Sequence, residues 1–380
     1  MSGLFFIIVF GYALVILLLS KELLTYPATK IDPSIEQLPF SIIINYRNEE
    51  SRLPALLDSI KKQAYRFEKT QWIFVNDKTT DHSLEILQSF TAQHSEIPIV
   101  LLNRIPKSAS AKKDGITQAL GLAIHPHILT TDADCMLPAG WIASYNAIYH
   151  KHTEAHFIAA PVVIQQENSL LTALQHQEMM ALQLITAGSF SYRQPFMCNG
   201  ANMSFTKEAF YEVDGYEGNR HISSGDDIFL LEKLAAEGVM KCHYLKSMTA
   251  IVTTFPKLDL KSMIDQRARW AQKGRTTKSM LNKLLSFQVL LMSILFISSP
   301  LLWYFSLISS QMFIGVLAVK AFTDMIVLVI GDQFFEGVKW KFAVVTFLIY
   351  PFLVVVIAFS SLSKPQWQGR AVNAPRSPQD

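Results

Sequence analysis

Leu129-Thr130-Thr131-Asp132-Ala133-Asp134-Cys135 follows the apolar residues Ala123-Ile124 and His127-Ile128, so an uncharged run ends in two carboxylates one residue apart. If the run is a buried parallel strand, both acids sit at the carboxyl edge of a sheet, where open α/β sheets bind their ligands. Side chains at i and i+2 of an extended chain point the same way. Asp132 and Asp134 are therefore expected to address one hard cation. Mg²⁺ or Mn²⁺ takes such oxygen ligands and completes its shell with diphosphate oxygens. An isolated D-x-D is equally well two solvated acids in a turn, because short motifs match often by accident. Its surroundings decide between the two.

Upstream, short apolar runs alternate with helix-like stretches. Phe40-Ser41-Ile42-Ile43-Ile44-Asn45 reads as a first strand, and Trp72-Ile73-Phe74-Val75-Asn76-Asp77 as a second that ends in an acid. Ile99-Val100-Leu101-Leu102 makes a third. Between them, Leu53, Leu56, Leu57 and Ile60 fall on one helical face, and Leu84, Leu87 and Phe90 on another. The helix before Ile128 carries Lys112 and Lys113 near its start. Strands alternating with helices predict an α/β fold with a mostly parallel sheet and right-handed crossovers. Neither common glycine-rich phosphate loop is present, which argues against P-loop and dinucleotide readings.

Composition adds a membrane. The 380 residues are 50% hydrophobic and only 17% charged, with a mean hydropathy of +0.23. That balance is too apolar for a purely soluble enzyme. A net charge of +3 gives no support to a nucleic-acid partner. Cys135, Cys198 and Cys242 form neither a zinc pattern nor a disulfide framework, which suits a reducing cytoplasm. Leu4 to Leu24 is nearly uncharged until Lys21 and long enough to span a bilayer. No basic residue precedes it and Tyr26-Pro27 follows, so it reads as a retained anchor rather than a cleaved signal peptide. Lys21, Lys30, Arg47 and Arg52 place the following domain in the cytoplasm by the positive-inside rule.

Asn45-Tyr46-Arg47-Asn48-Glu49-Glu50, Val75-Asn76-Asp77 with Thr80-Asp81, and Thr131-Asp132-Ala133-Asp134 together resemble glycosyltransferase family 2. The likeness is to its membrane-bound branch of cellulose, hyaluronan and poly-N-acetylglucosamine synthases and ceramide glucosyltransferases. Ser224-Gly225-Asp226-Asp227 stands where that branch has an acidic catalytic pair, and Gln266-Arg267-Ala268-Arg269-Trp270 fits its Q-x-x-R-W signature. The resemblance implies a GT-A fold over roughly residues 38 to 275, with transmembrane helices beside it.

It also implies roles. Asp77 would accept a hydrogen bond from uracil N3–H, with Asn45, Arg47, Asn48 and Glu49 around the base and Lys112 near the nucleotide. Asp134 would hold the metal directly, with Asp132 nearer the ribose or acting through water. Asp227 would be the general base of an inverting transfer, and Asp226 would position substrate and open the following helix. Asn199, Gly200 and Asn202 would line the sugar, Arg269 would meet the diphosphate and Trp270 would stack on the acceptor; Gln266 completes the motif.

Downstream, Leu284 to Ile308, Met312 to Ile330 and Phe342 to Leu362 are apolar runs, with Lys320 and Asp324 on one helix face in the middle one. Three full spans would put the basic tail (Lys364, Arg370, Arg376) outside, against the positive-inside tendency. Trp367-Gln368-Gly369-Arg370, similar to a tail motif of ceramide-glucosyltransferase-like proteins, favours a cytoplasmic end. The expected organisation is an anchor (1–25), a cytoplasmic catalytic domain (26–255), a basic juxtamembrane segment (256–283), transmembrane helices (284–362) and a tail (363–380). The expected activity transfers a hexose or N-acetylhexosamine from a UDP-sugar to a lipid acceptor at the inner face of the cell membrane, with Mg²⁺ or Mn²⁺. A processive synthase acting on a glycan is the alternative; four spans are few for its pore, so it would call on a homo-oligomer or a partner. A non-catalytic membrane scaffold or transporter component would have no need of the full set of acids.

Overall fold

The computed structural model describes residues 2–362, 366–367 and 370–371. Helix α1 (Ser2–Thr25) precedes β1 (Phe40–Tyr46), α2 (Leu53–Lys61), β2 (Thr70–Asn76), α3 (Ser83–Gln93) and β3 (Ile99–Asn103). Next come α4 (Ala111–Leu122), β4 (His127–Asp132), β5 (Cys135–Met136), α5 (Trp141–Lys151), β6 (Phe157–Ala159) and β7 (Val162–Ile164). Helix α6 (Leu170–Ser191), β8 (Met203–Thr206), α7 (Lys207–Glu212), α8 (Ile228–Gly238), β9 (Cys242–Tyr244) and β10 (Val252–Thr254) follow. Four further helices follow: α9 (Leu260–Thr276), α10 (Met280–Tyr304), α11 (Ser310–Phe335) and α12 (Ala343–Ser360). These elements form two compact units, one of residues 27–163 and 197–255, the other of residues 2–26, 164–196, 256–362, 366–367 and 370–371. Residues 164–196, inside the 26–255 stretch, group with the apolar helices.

The first unit is built on a seven-stranded sheet of order β3-β2-β1-β4-β8-β6-β9. β3, β2, β1 and β4 run parallel; β8 is antiparallel to both its neighbours, and β9 is parallel to β6. The expected mostly parallel sheet is thus present. Its first strands are near-continuous apolar runs because helices cover both faces. Ile42, Ile44, Trp72 and Phe74 pack with α2, α3 and α5 on one face. On the other, α4 approaches β1 so closely at Gly115 that a Cβ there would stand 1.9 Å from Asn45 Oδ1. Ile42, Ile44 and Leu129 are fully buried, each contributing about 1.5–3 kcal/mol relative to exposure. The parallel register aligns Asn45 with Asp132 and Tyr46 with Asn76, which brings three strand ends to one edge.

In the second unit, α1 packs on α6, α10 and α11. At Gly188 of α6 a Cβ would lie 2.3 Å from the Leu19 carbonyl oxygen, so the two backbones touch. Ser191 Oγ donates to Glu22 at 2.5 Å at the end of α1. Lys320 and Asp324 pair, Tyr12 donates to Asp324 at 2.8 Å, and the Lys320 ammonium lies over the Phe296 and Phe347 rings. That network joins α1, α10, α11 and α12 and keeps the charged pair against protein groups, as a charge on so apolar a helix requires. Phe5–Thr25, Met280–Tyr304, Ser310–Phe335 and Trp340–Ser360 are long and apolar enough to cross a membrane. The basic segment before them is a helix, α9. Arg267 Nε donates to the buried Glu178 of α6 at 2.8 Å, and its guanidinium lies 4.5 Å from the Trp270 ring. Trp367 and Arg370 pair in a short antiparallel ladder; Lys364, Gln368, Gly369 and Arg376 of the tail reading lie outside the described residues.

Candidate active site

Asp132 is the last residue of β4, and Asp134 sits in the tight turn between β4 and β5. The turn corrects the expectation that both acids project from one extended chain. They face different cations instead. Asp132 Oδ1 accepts from Lys112 Nζ at 2.6 Å, and Asp134 Oδ2 lies 3.5 Å from Arg52 NH1. Cys135, one residue on, is fully buried, and burial, then Asp134 and Asp132, push its thiol well above the ordinary range.

Lys112 also reaches Asp226 Oδ2 at 3.2 Å. One ammonium therefore joins the D-x-D to the second acidic pair. Lys113, the neighbour the sequence could not separate from it, is buried elsewhere: its Nζ donates to the carbonyls of Asn219 (2.8 Å) and Ile222 (3.0 Å) and lies over Phe229. Burial alone would lower the Lys112 pKa, but Asp132 and Asp226, then Asp227, hold it well above the usual lysine value.

Asp226 and Asp227 are both buried at the start of α8. The sequence reading placed both acids at the helix start; the cap itself is Asp227, whose Oδ1 accepts from Ile228 N–H at 2.8 Å. Gly200 N–H donates to Asp227 Oδ2 at 3.3 Å. A Cβ on Gly200 would stand 2.8 Å from Asp226 Oδ2 and 3.0 Å from Lys112 Nζ, so only glycine lets this loop close over the acids.

The base-side residues form a second cluster at the same edge. Asp77 Oδ1 is clasped by Arg104, with Nε at 2.7 Å and NH2 at 2.5 Å, and Arg104 NH1 reaches Asp114 at 3.1 Å. Arg47 NH1 donates to the Asp77 carbonyl at 3.2 Å and lies 4.0 Å from Oδ2. Asn48 turns at φ +52° and its side-chain oxygen accepts from Thr80 N–H at 2.8 Å, bracing the loops after β1 and β2. Glu49 N–H donates to Ser83 Oγ, and the Glu49 carboxylate lies 3.9 Å from Arg52. Asn45, beside Asp132 in register, has a buried Oδ1 with no hydrogen-bond partner among the described residues.

Asn202 is a correction. It is fully buried; Oδ1 accepts from Trp141 Nε1 and Tyr145 OH, while Nδ2 donates to the carbonyls of Pro161 and Ala250. No donor or acceptor is left for a sugar hydroxyl. Asn199 Oδ1 accepts from Ala201 N–H and shapes the turn that presents Gly200. Gln266, Arg269 and Trp270 belong to the other unit: Gln266 pairs with Arg267, Trp270 carries the Arg267 guanidinium on its ring, and burial lowers the Arg269 pKa. Sequence reading missed Arg52 and Arg104. The only local signals are that Arg104 directly follows β3 and that Arg52 stands at the start of α2.

Asp132 and Asp134 offer carboxylate oxygens, the ligand type a hard divalent cation takes, with the acids Asp226 and Asp227 at the same edge; to bind one, each would exchange its contact with Lys112 or Arg52.

Residues 38–273 match the family model described as glycosyltransferase like family 2. The chain belongs to this family. Among solved structures, this glycosyltransferase is similar to the mannosyltransferase PcManGT from Pyrobaculum calidifontis, solved with GDP-Man and Mn²⁺. The TM-score is 0.60 at 15% identity, over 96% of this chain and 99% of that one. The first 349 residues of S. aureus TarS align with a TM-score of 0.44 at 12% identity, over 86% of this chain and 91% of that one. An uncharacterized glycosyltransferase of Mycoplasma pneumoniae, the MG025 homolog, is 40% identical over 58 residues, 15% of this chain and 19% of its own length. The match thus spans about a fifth of that curated relative. The fold of this glycosyltransferase is GT-A-like, accompanied by four helices able to cross a membrane.

Proposed function

We propose that the enzyme transfers a hexose or N-acetylhexosamine from a UDP-sugar to a lipid acceptor, with inversion, from the cytoplasmic face of the cell membrane. The observation that carries this reading is Lys112, 2.6 Å from Asp132 and 3.2 Å from Asp226, which holds two acidic motifs distant in sequence at one sheet edge. Asp134 and Asp132 would hold Mg²⁺ or Mn²⁺, which when bound neutralises the diphosphate. Mn²⁺ accompanies the nucleotide sugar in PcManGT. Asp77, with Arg104 and Arg47 behind it, is assigned to the uracil, and Lys112 stays an ammonium able to offset phosphate charge. In the transfer, the acceptor oxygen attacks the anomeric carbon, the bond from that carbon to the diphosphate oxygen breaks, and its electron pair leaves with UDP. The hydroxyl proton passes to the Asp227 carboxylate on the opposite face. The four apolar helices and the basic residues that follow α1 support a membrane acceptor and a cytoplasmic active site.

The test incubates the purified full chain with labelled UDP-hexoses, UDP-N-acetylhexosamines and GDP-mannose, a membrane lipid extract and Mn²⁺, and reads the products by mass spectrometry. One sugar added to a lipid from a UDP donor is expected. A ladder of added sugars would establish a processive synthase instead, and transfer from GDP-mannose alone would overturn the donor assignment.

A further inference from the structure

A second group of metal-type ligands lies away from the Asp132 edge. His152 follows α5, Glu154 stands in the loop to β6, and His243 is the middle residue of β9, the last strand of the sheet. Their ligand atoms lie within 4.8 Å of one another. Glu154 Oε1 is 3.8 Å from His152 Nδ1 and 3.6 Å from His243 Nε2, and the imidazole rings are stacked with centroids 3.9 Å apart.

Strand register separates this group from the acids. Phe157, the first residue of β6, is level through Phe205 with Ile128 near the start of β4. Glu154 therefore lies beyond the amino end of the sheet, whereas Asp132 ends β4 at its carboxyl end. Three strand spacings of about 4.8 Å also separate β9 from β4.

Two imidazole nitrogens and one carboxylate oxygen make the donor set of a three-ligand zinc site whose fourth position holds water. It differs in kind from the all-oxygen pair at Asp132 and Asp134, which suits Mg²⁺ or Mn²⁺. To take an ion at about 2.0–2.1 Å the ligand atoms must draw together to about 3.3 Å and one ring must rotate out of the stack. His152 and Glu154 have the freedom to do so, with side chains 30% and 57% exposed.

We propose that His152, Glu154 and His243 bind one borderline divalent transition ion, Zn²⁺ foremost, which clips the α5–β6 loop to edge strand β9. The test titrates Zn²⁺ into metal-stripped full chain in detergent with excess Mg²⁺ present, by calorimetry and by the visible absorption of Co²⁺ substituted for Zn²⁺. The expected result is one Zn²⁺ per chain with a rise in apparent Tm. Binding should persist in Asp134→Ala, weaken in the exposed Glu154→Gln, and vanish in His152→Ala and His243→Ala. Unchanged stoichiometry in both histidine variants, or uptake abolished by Asp134→Ala alone, would overturn the site.

Discussion

Lys112 shows how far single residues could be read. Its place near a helix start pointed to the nucleotide, but its choice over Lys113 needed Asp132 and Asp226, which lie 20 and 114 positions away. Because its folded pKa is raised, its contribution to stability is fully present below the unfolded lysine value of about 10.4 and is lost only as pH rises through the folded one. The acids stood out in the sequence because they lie at or just beyond the end of an apolar strand, as Asp77, Asp132 and Asp134 do, or at the start of a helix, as Asp226 and Asp227 do. Arg52 and Arg104 did not, because their partners come from other segments, and Asn202 misled because saturation of an amide is invisible in sequence. Asp134→Ala should lower kcat/KM by at least about 10²-fold and remove Mn²⁺-dependent UDP binding in calorimetry without unfolding the chain; undiminished binding would refute the metal assignment. Gly200→Ala places a methyl 2.8 Å from Asp226, and the resulting displacement should cost about 10²-fold in kcat with an unchanged melting curve. Wild-type turnover would show that the loop plays no part.

At the scale of elements, the long regular pieces were readable and the short ones were not. β1 and β2 are seven-residue strands that fall within two residues of their expected bounds, whereas β4 starts at His127, after Ala123-Ile124. β5 to β10 have two to four residues each, too short for a periodic signal. Helix α6 escaped because Gln175, His176, Gln177 and Glu178 break its apolar pattern, although all four are buried. Glu178 explains one of them: it receives Arg267 of α9. Arg267→Ala should leave that carboxylate buried without its cation, at a cost of roughly 3–5 kcal/mol, seen as a lower apparent Tm in detergent. An unchanged Tm would mean that α9 is held by its apolar contacts alone.

For the whole molecule, the N-terminal apolar helix, the mostly parallel sheet and the later apolar helices were all legible, because long apolar runs and parallel strands are the strongest hydropathy signals a sequence carries. The interleaving of the two units along the chain was not, since residues 164–196 return to the apolar helices without a linker to mark the passage. Sidedness rests on charge. Single-cysteine labelling in sealed vesicles should place Lys30→Cys and Lys278→Cys on the cytoplasmic side; labelling of both from outside would exclude a cytoplasmic UDP-sugar donor. The most direct measurement of the proposed chemistry is kcat together with donor Kd for Asp227→Asn. Asparagine keeps the helix cap and nearly the volume but cannot take the acceptor proton as a carboxylate does. Donor and metal binding should stay near wild type while kcat falls by about 10²–10⁴-fold, and Asp226→Asn should lose less. Wild-type turnover in Asp227→Asn, or a dead Asp226→Asn beside an active Asp227→Asn, would contradict the assignment of the base.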